Sequence, residues 1–97
     1  MVEASISQLA RFFAAILEDP RVTTTHISLY MALLYEWTLN HCANPVPIDR
    51  DTIMIRAKIS GMATYFKCIH NLHEYGIIRY VAARHRYMQS VIYICNI

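Results

Sequence analysis

Residues 60–80 read SGMATYFKCIHNLHEYGIIRY, and the order of side-chain types in this stretch decides the reading of the rest. Tyr65, Ile69 and Leu72 recur at i, i+4 and i+7, the spacing of one buried helical stripe. Ser60 stands where a hydroxyl can accept from the free N–H groups of a first turn, so a helix is predicted from Ser60 to Tyr75. Gly76 follows at the position where a chain leaving a helix takes up a left-handed residue. Ile77-Ile78-Arg79-Tyr80-Val81 is then rich in β-branched and aromatic residues, as strands are.

Working outward, Val91-Ile92-Tyr93-Ile94-Cys95 has the same composition and reads as a second strand, joined to the first by the polar, basic segment Ala82–Ser90. Upstream, Asp49 is a good N-cap for a short helix reaching about Ala57, with Ile53, Met54 and Ala57 facing inward. Lys58-Ile59-Ser60 is the tight connection between the two helices. Asn44-Pro45-Val46-Pro47 excludes helix, and Ile48 reads as a single strand residue. Before it lies a helix starting near Thr23, with Val22 and Ile27 placed for a hydrophobic staple. Ile27, Tyr30, Leu34 and Trp37 form its core stripe. Leu29, Met31, Leu33 and Leu39 make it apolar on more than one face, which marks a central helix or a subunit interface. The first helix is predicted from Ala4 to Asp19, closed by Asp19-Pro20, with Ile6, Leu9, Ala10, Phe13, Ile16 and Leu17 turned inward.

A short helix, a tight turn, a longer helix and a hairpin follow the order of a winged helix-turn-helix. The expected fold is therefore mainly α with a small β-hairpin. One domain spans 1–97, with an N-terminal amphipathic helix in 1–20 and the winged-helix core in 21–97. Residues 60–80 resemble the recognition helix and first wing strand of winged-helix DNA-binding proteins. The likeness rests on a Ser-capped helix with Thr64 near its start, Lys67 in the middle, and an apolar pair after Gly76. Together with His26-Ile27-Ser28-Leu29-Tyr30, Ala32-Leu33 and Trp37, the chain resembles small bacterial winged-helix transcriptional regulators carried on mobile elements. The wing departs from that pattern, because Ala82-Ala83 and Gln89-Ser90 stand where the family carries Pro-Ser and Gly-Ser.

Composition narrows the function classes. The 97 residues are 56% hydrophobic and 16% charged, too apolar for a disordered chain and richer than a lone small domain needs. The excess suggests a partner over some apolar surface, and a homodimer through the first two helices is expected. The longest apolar run, near Leu29–Tyr35, is cut by Glu36 well short of a membrane span. No basic-then-apolar leader is visible. Three widely spaced cysteines, Cys42, Cys68 and Cys95, fit reduced thiols, so a cytoplasmic protein is expected.

Net charge is only +2, but it is unevenly placed. In residues 1–59 five Lys and Arg face six acids, whereas from Ser60 onward Lys67, Arg79, Arg84 and Arg86 face Glu74 alone. A polyanion would dock on this C-terminal part. With Tyr65, Ile69 and Leu72 inward, the helix presents Met62, Ala63, Phe66, Lys67 and His70, flanked by Thr64 and Asn71. Lys67, Thr64 and Asn71 suit phosphates or base edges in a major groove, and Met62 or Phe66 a thymine methyl. Arg84, His85 and Arg86 suit the backbone or minor groove. The expected DNA-binding set is Ser60, Met62, Thr64, Phe66, Lys67, His70, Asn71, Arg84, His85 and Arg86. For Arg79, pairing with Glu74 is an equal reading.

Other chemistries find little support. Cys68 and His70 point about 200° apart on a helix, so they do not begin a tetrahedral zinc site. No metal or cofactor is expected. The chain has only Gly61 and Gly76, hence no glycine-rich phosphate loop, and His73-Glu74 do not face one way. No enzyme is expected. Sequence-specific double-stranded DNA binding in transcription is the expected function. The rivals are a protein-interaction module docking a replication or mobilisation protein through Met62 and Phe66, and a metal-dependent or redox sensor.

Overall fold

The computed structural model describes residues 2–96, which form α1 (Val2–Ile16), α2 (Thr24–Leu39), β1 (Val46–Ile48), α3 (Arg50–Ala57), α4 (Met62–Glu74), β2 (Ile78–Val81) and β3 (Ser90–Ile94). The chain is mainly helical with a small antiparallel sheet in the order β1-β3-β2.

α2 organises the packing. Thr23 caps it in both directions: its hydroxyl accepts from the His26 N–H, and its own N–H donates to His26 Nδ1 at 2.9 Å. This is a capping box in which an imidazole replaces the usual Glu or Gln. Leu29, Tyr30, Ala32, Leu33, Leu34 and Trp37 are all buried, so the helix is covered on several sides, as its sequence implies. Phe12 of α1 stacks on Tyr30 with ring centroids 3.8 Å apart. The Ser28 hydroxyl donates to the Ala57 carbonyl of α3, and His26 meets Asn71 of α4.

α1 differs from expectation in length and in facing. It ends at Ile16, and Asp19 instead holds a tight turn by accepting from the Arg21 backbone N–H and guanidinium. Those hydrogen bonds, with the Arg21 charge behind them, hold the Asp19 carboxyl down at about 2. Among the described residues of α1, Phe12 and Gln8 are buried and Leu9 and Ile16 pack half-buried against the core as expected, whereas Ile6, Phe13 and Leu17 are 61%, 42% and 77% exposed. Hydrogen bonding explains the rotation. Gln8 Nε2 donates to the Tyr30 hydroxyl at 3.1 Å and to the Cys95 carbonyl at 2.9 Å, and Ser5 Oγ lies 2.7 Å from Thr38 Oγ1. A buried amide with its partners in place is tolerated in a core, so hydropathy alone placed Leu9 and Ile16 but misplaced Ile6, Phe13 and Leu17.

The expected hairpin gains a third strand. Val46 lies opposite Ile92 and Ile48 opposite Ser90, so β1 covers one edge of β3 while β2 covers the other. Asn44 continues the β1–β3 pairing with its side chain: Nδ2 donates to the Ile94 carbonyl and Oδ1 accepts from the Ile94 N–H. The Asn44–Pro45 bond is cis.

Asp49 caps α3 as expected, accepting from the Thr52 N–H at 3.0 Å. The chain leaves α3 through Lys58 in the left-handed region (φ 61°), and Ile59 drops into the core. That burial sets the turn, and Gly61 rather than Ser60 falls at the N-cap of α4, without a side-chain acceptor. The expected capping role of Ser60 is thus overturned. At the far end Gly76 takes φ +76°, the left-handed exit its position calls for.

Candidate nucleic-acid interface

α4 is fixed from within by Tyr65, Cys68, Ile69 and Leu72, all buried. Burial pushes the Tyr65 phenol up to about 12 and raises the Cys68 thiol, so both stay neutral near pH 7. The opposite side of the helix exposes Met62, Ala63, Thr64, Lys67 and His70. Lys67 makes no hydrogen bond or ion pair among the described residues, which leaves its ammonium for an external anion. His70 sets its ring edge-on to Tyr80, with centroids 5.5 Å apart, and so leans toward β2.

Two expected contact residues face elsewhere. Phe66 is half-buried and meets the Tyr65 ring edge-on at 5.1 Å, so it is a rim of the core rather than a free apolar contact. The Asn71 amide is half-buried and pairs with His26 Nε2 at 3.0 Å, which makes it a brace between α2 and α4. Ser60 is exposed but precedes the helix.

The second cluster lies on the β2–β3 connection, where residues 82–89 are all exposed. Its base is pinned at Ser90, whose Oγ accepts from the Ala83 N–H at 3.0 Å. Arg84 has no hydrogen bond or ion pair among the described residues. Arg86 donates to the Tyr87 hydroxyl at 3.0 Å and spreads its guanidinium over that ring, while His85 Nδ1 accepts from the Tyr87 N–H. Tyr87 and Met88 are 81% and 49% exposed at the tip, and sequence reasoning missed both. The signal was present: an aromatic and a thioether inside a polar, basic loop have no core to fill. Arg79 lies over the Tyr93 ring at 5.0 Å and forms no ion pair with Glu74.

His73 Nδ1 accepts the Tyr80 N–H at 2.9 Å and so occupies a donor on the outer edge of β2. Among the described residues no three His, Cys, Asp or Glu side chains gather as a metal set, and no helix is long and apolar enough to cross a membrane. Burial also raises the Cys95 thiol. The arrangement suits an anion that meets one cation on a rigid helix and others on a projecting loop. No protein-family model, curated protein or solved structure matches the chain.

Proposed function

We propose that this chain binds double-stranded DNA as a winged helix-turn-helix, without catalysis, in the control of transcription. α4 enters the major groove with Met62, Thr64, Lys67 and His70 toward the bases and phosphates. The loop at 82–89 is the wing, with Arg84, His85 and Arg86 on the backbone. The observation that carries the reading is the pairing of an internally locked helix, whose outer side holds an unpaired Lys67, with an exposed loop bearing an unpaired Arg84. Thirteen residues make α4 about 20 Å long, enough to lie in a groove about 12 Å wide. Acidic residues would repel such a ligand, and from Ser60 onward Glu74 is the sole acid.

The docking alternative keeps the exposed Met62, but its second residue, Phe66, is half-buried against Tyr65. Selection from random duplex DNA at moderate salt tests the proposal. Enrichment of a defined site supports it, and failure to retain any duplex at low salt overturns it.

A further inference from the structure

The connection between β2 and β3 ends in a turn that holds an aromatic ring out in solvent. The Met88 N–H donates to the His85 carbonyl at 3.0 Å, which closes the turn and puts Arg86 and Tyr87 at its two corner positions. The Tyr87 N–H donates to His85 Nδ1 at 3.3 Å, and the two rings meet at 61° with centroids 6.1 Å apart. Arg86 lies over one face of Tyr87, 5.0 Å from its centroid, and donates to its hydroxyl at 3.0 Å. Despite these contacts the ring is 81% exposed, beside the half-exposed Met88. Neither side chain belongs to the core or to the half-buried residues packed on it. An aromatic ring stabilises a fold by being buried, so this one is placed for something outside the chain.

We propose that Tyr87 is a stacking site for one unpaired nucleobase, so that the chain favours duplex DNA carrying such a base over continuous duplex. The ring has one face under Arg86, so it suits a stack on one base rather than insertion between two. In a continuous duplex each base has both faces covered by its neighbours, whereas a mismatched or single-stranded base costs least to expose. Charge favours the same ligand. Residues 82–89 hold Arg84, His85 and Arg86 and no acid. Arg86 gives one donor to the Tyr87 hydroxyl and keeps its remaining N–H groups for the phosphates beside the base. Stacking on an aromatic side chain is indifferent to which base is present, so the tip needs no base-reading side chain of its own. A lipid surface is the poorer match, since membrane-lying segments present a long apolar face and this tip offers Tyr87 and Met88 alone. The site rests on the duplex binding proposed above: α4 supplies the duplex contact and the tip adds the base.

Fluorescence anisotropy of the full chain with three DNAs of one sequence tests it. They are a continuous duplex, the same duplex with an extra unpaired adenine in one strand, and that duplex with the extra nucleotide abasic. The adenine bulge should bind about five-fold or more tighter than the abasic bulge, the low end for one stacked base. Tyr87→Ala should abolish that ratio with the far-UV circular dichroism unchanged, and Tyr87→Phe, which keeps the ring, should retain it. With 2-aminopurine in place of the bulged adenine, the wild type should quench its fluorescence and Tyr87→Ala should not. Equal affinity for the two bulges overturns the stacking site while continuous-duplex binding, read in the same titrations, stands. A ratio that survives Tyr87→Ala also overturns it, and failure to bind any of the three DNAs removes both readings. Tyr87-dependent retention on phosphatidylserine vesicles, with the three DNAs bound alike, would put a lipid surface at the tip instead.

Discussion

His26 Nε2 lies 3.0 Å from the side-chain amide of Asn71, and through that contact the N-terminus of α2 is tied to the helix carrying Lys67. The same imidazole accepts the Thr23 N–H at Nδ1, so one ring joins the cap of α2 to α4. A residue that looked available to DNA is therefore part of the frame that orients the candidate interface.

That frame is sensitive to acid. Burial, and then the nearby Lys67 charge, lower the His26 pKa, with Asp19 acting weakly the other way. A histidine whose folded pKa lies below its unfolded value of about 6.5 leaves the unfolded chain binding more protons. Its contribution to stability is thus present above about pH 6.5 and lost as pH falls through the folded value. Urea unfolding midpoints should drop from pH 7.5 to 5.5, and a His26→Gln variant should show a shallower drop. Parallel pH profiles for the two proteins would refute this role.

Asn71→Ala should act on stability before it acts on DNA. It leaves the buried imidazole nitrogen without its partner, at a cost of about 1–3 kcal/mol. Lys67→Ala, at an exposed and unpaired position, should stay within about 0.5 kcal/mol of wild type. Chemical denaturation separates the two, and equal losses would contradict the geometry.

Duplex affinity should fall linearly with salt on a log–log plot, by about 0.9 per phosphate neutralised. Lys67→Ala and Arg84→Ala should each flatten that slope by about one contact, measured by fluorescence anisotropy across a salt series. Glu3→Gln, on α1 far along the chain from both clusters, should leave it unchanged. A slope indifferent to both basic substitutions would remove α4 and the loop from the interface.

The facing of α1 can be read from two truncations. Phe12 is fully buried and stacked on Tyr30, so Phe12→Ala should cost about 3–5 kcal/mol. Leu17, at 77% exposure, should tolerate alanine within about 0.5 kcal/mol. The reverse order in thermal or urea unfolding would restore the inward stripe that hydropathy suggests.

Local rules carried much of the fold. The Thr23 and Asp49 caps, the Gly76 exit, the Tyr65–Ile69–Leu72 stripe and both hairpin strands each follow from a few adjacent side chains, and each is where the sequence puts it. Part of the candidate site was legible for the same reason: Met62, Thr64, Lys67 and His70 are outward because their helical neighbours are inward.

What failed was whatever depends on residues distant in the chain. Asn71 lies four positions, about one helical turn, from the exposed Lys67, yet its partner, His26, is 45 residues away. Gln8 is polar in sequence but buried, because folding brings the Tyr30 hydroxyl and the Cys95 carbonyl to its amide. β1 became a full strand only because β3 returned beside it.

The amino-acid order alone determined α2, α3, α4 and the two hairpin strands, the Thr23 and Asp49 caps and which side of α4 is basic, since those depend on backbone preferences and spacing within a few residues. Tertiary structure decided which polar groups lie inside, how α1 is turned and which apolar side chains remain uncovered. A hydrogen bond or an aromatic stack between distant segments offsets the cost of burying a polar group, and no local pattern records which partner will arrive.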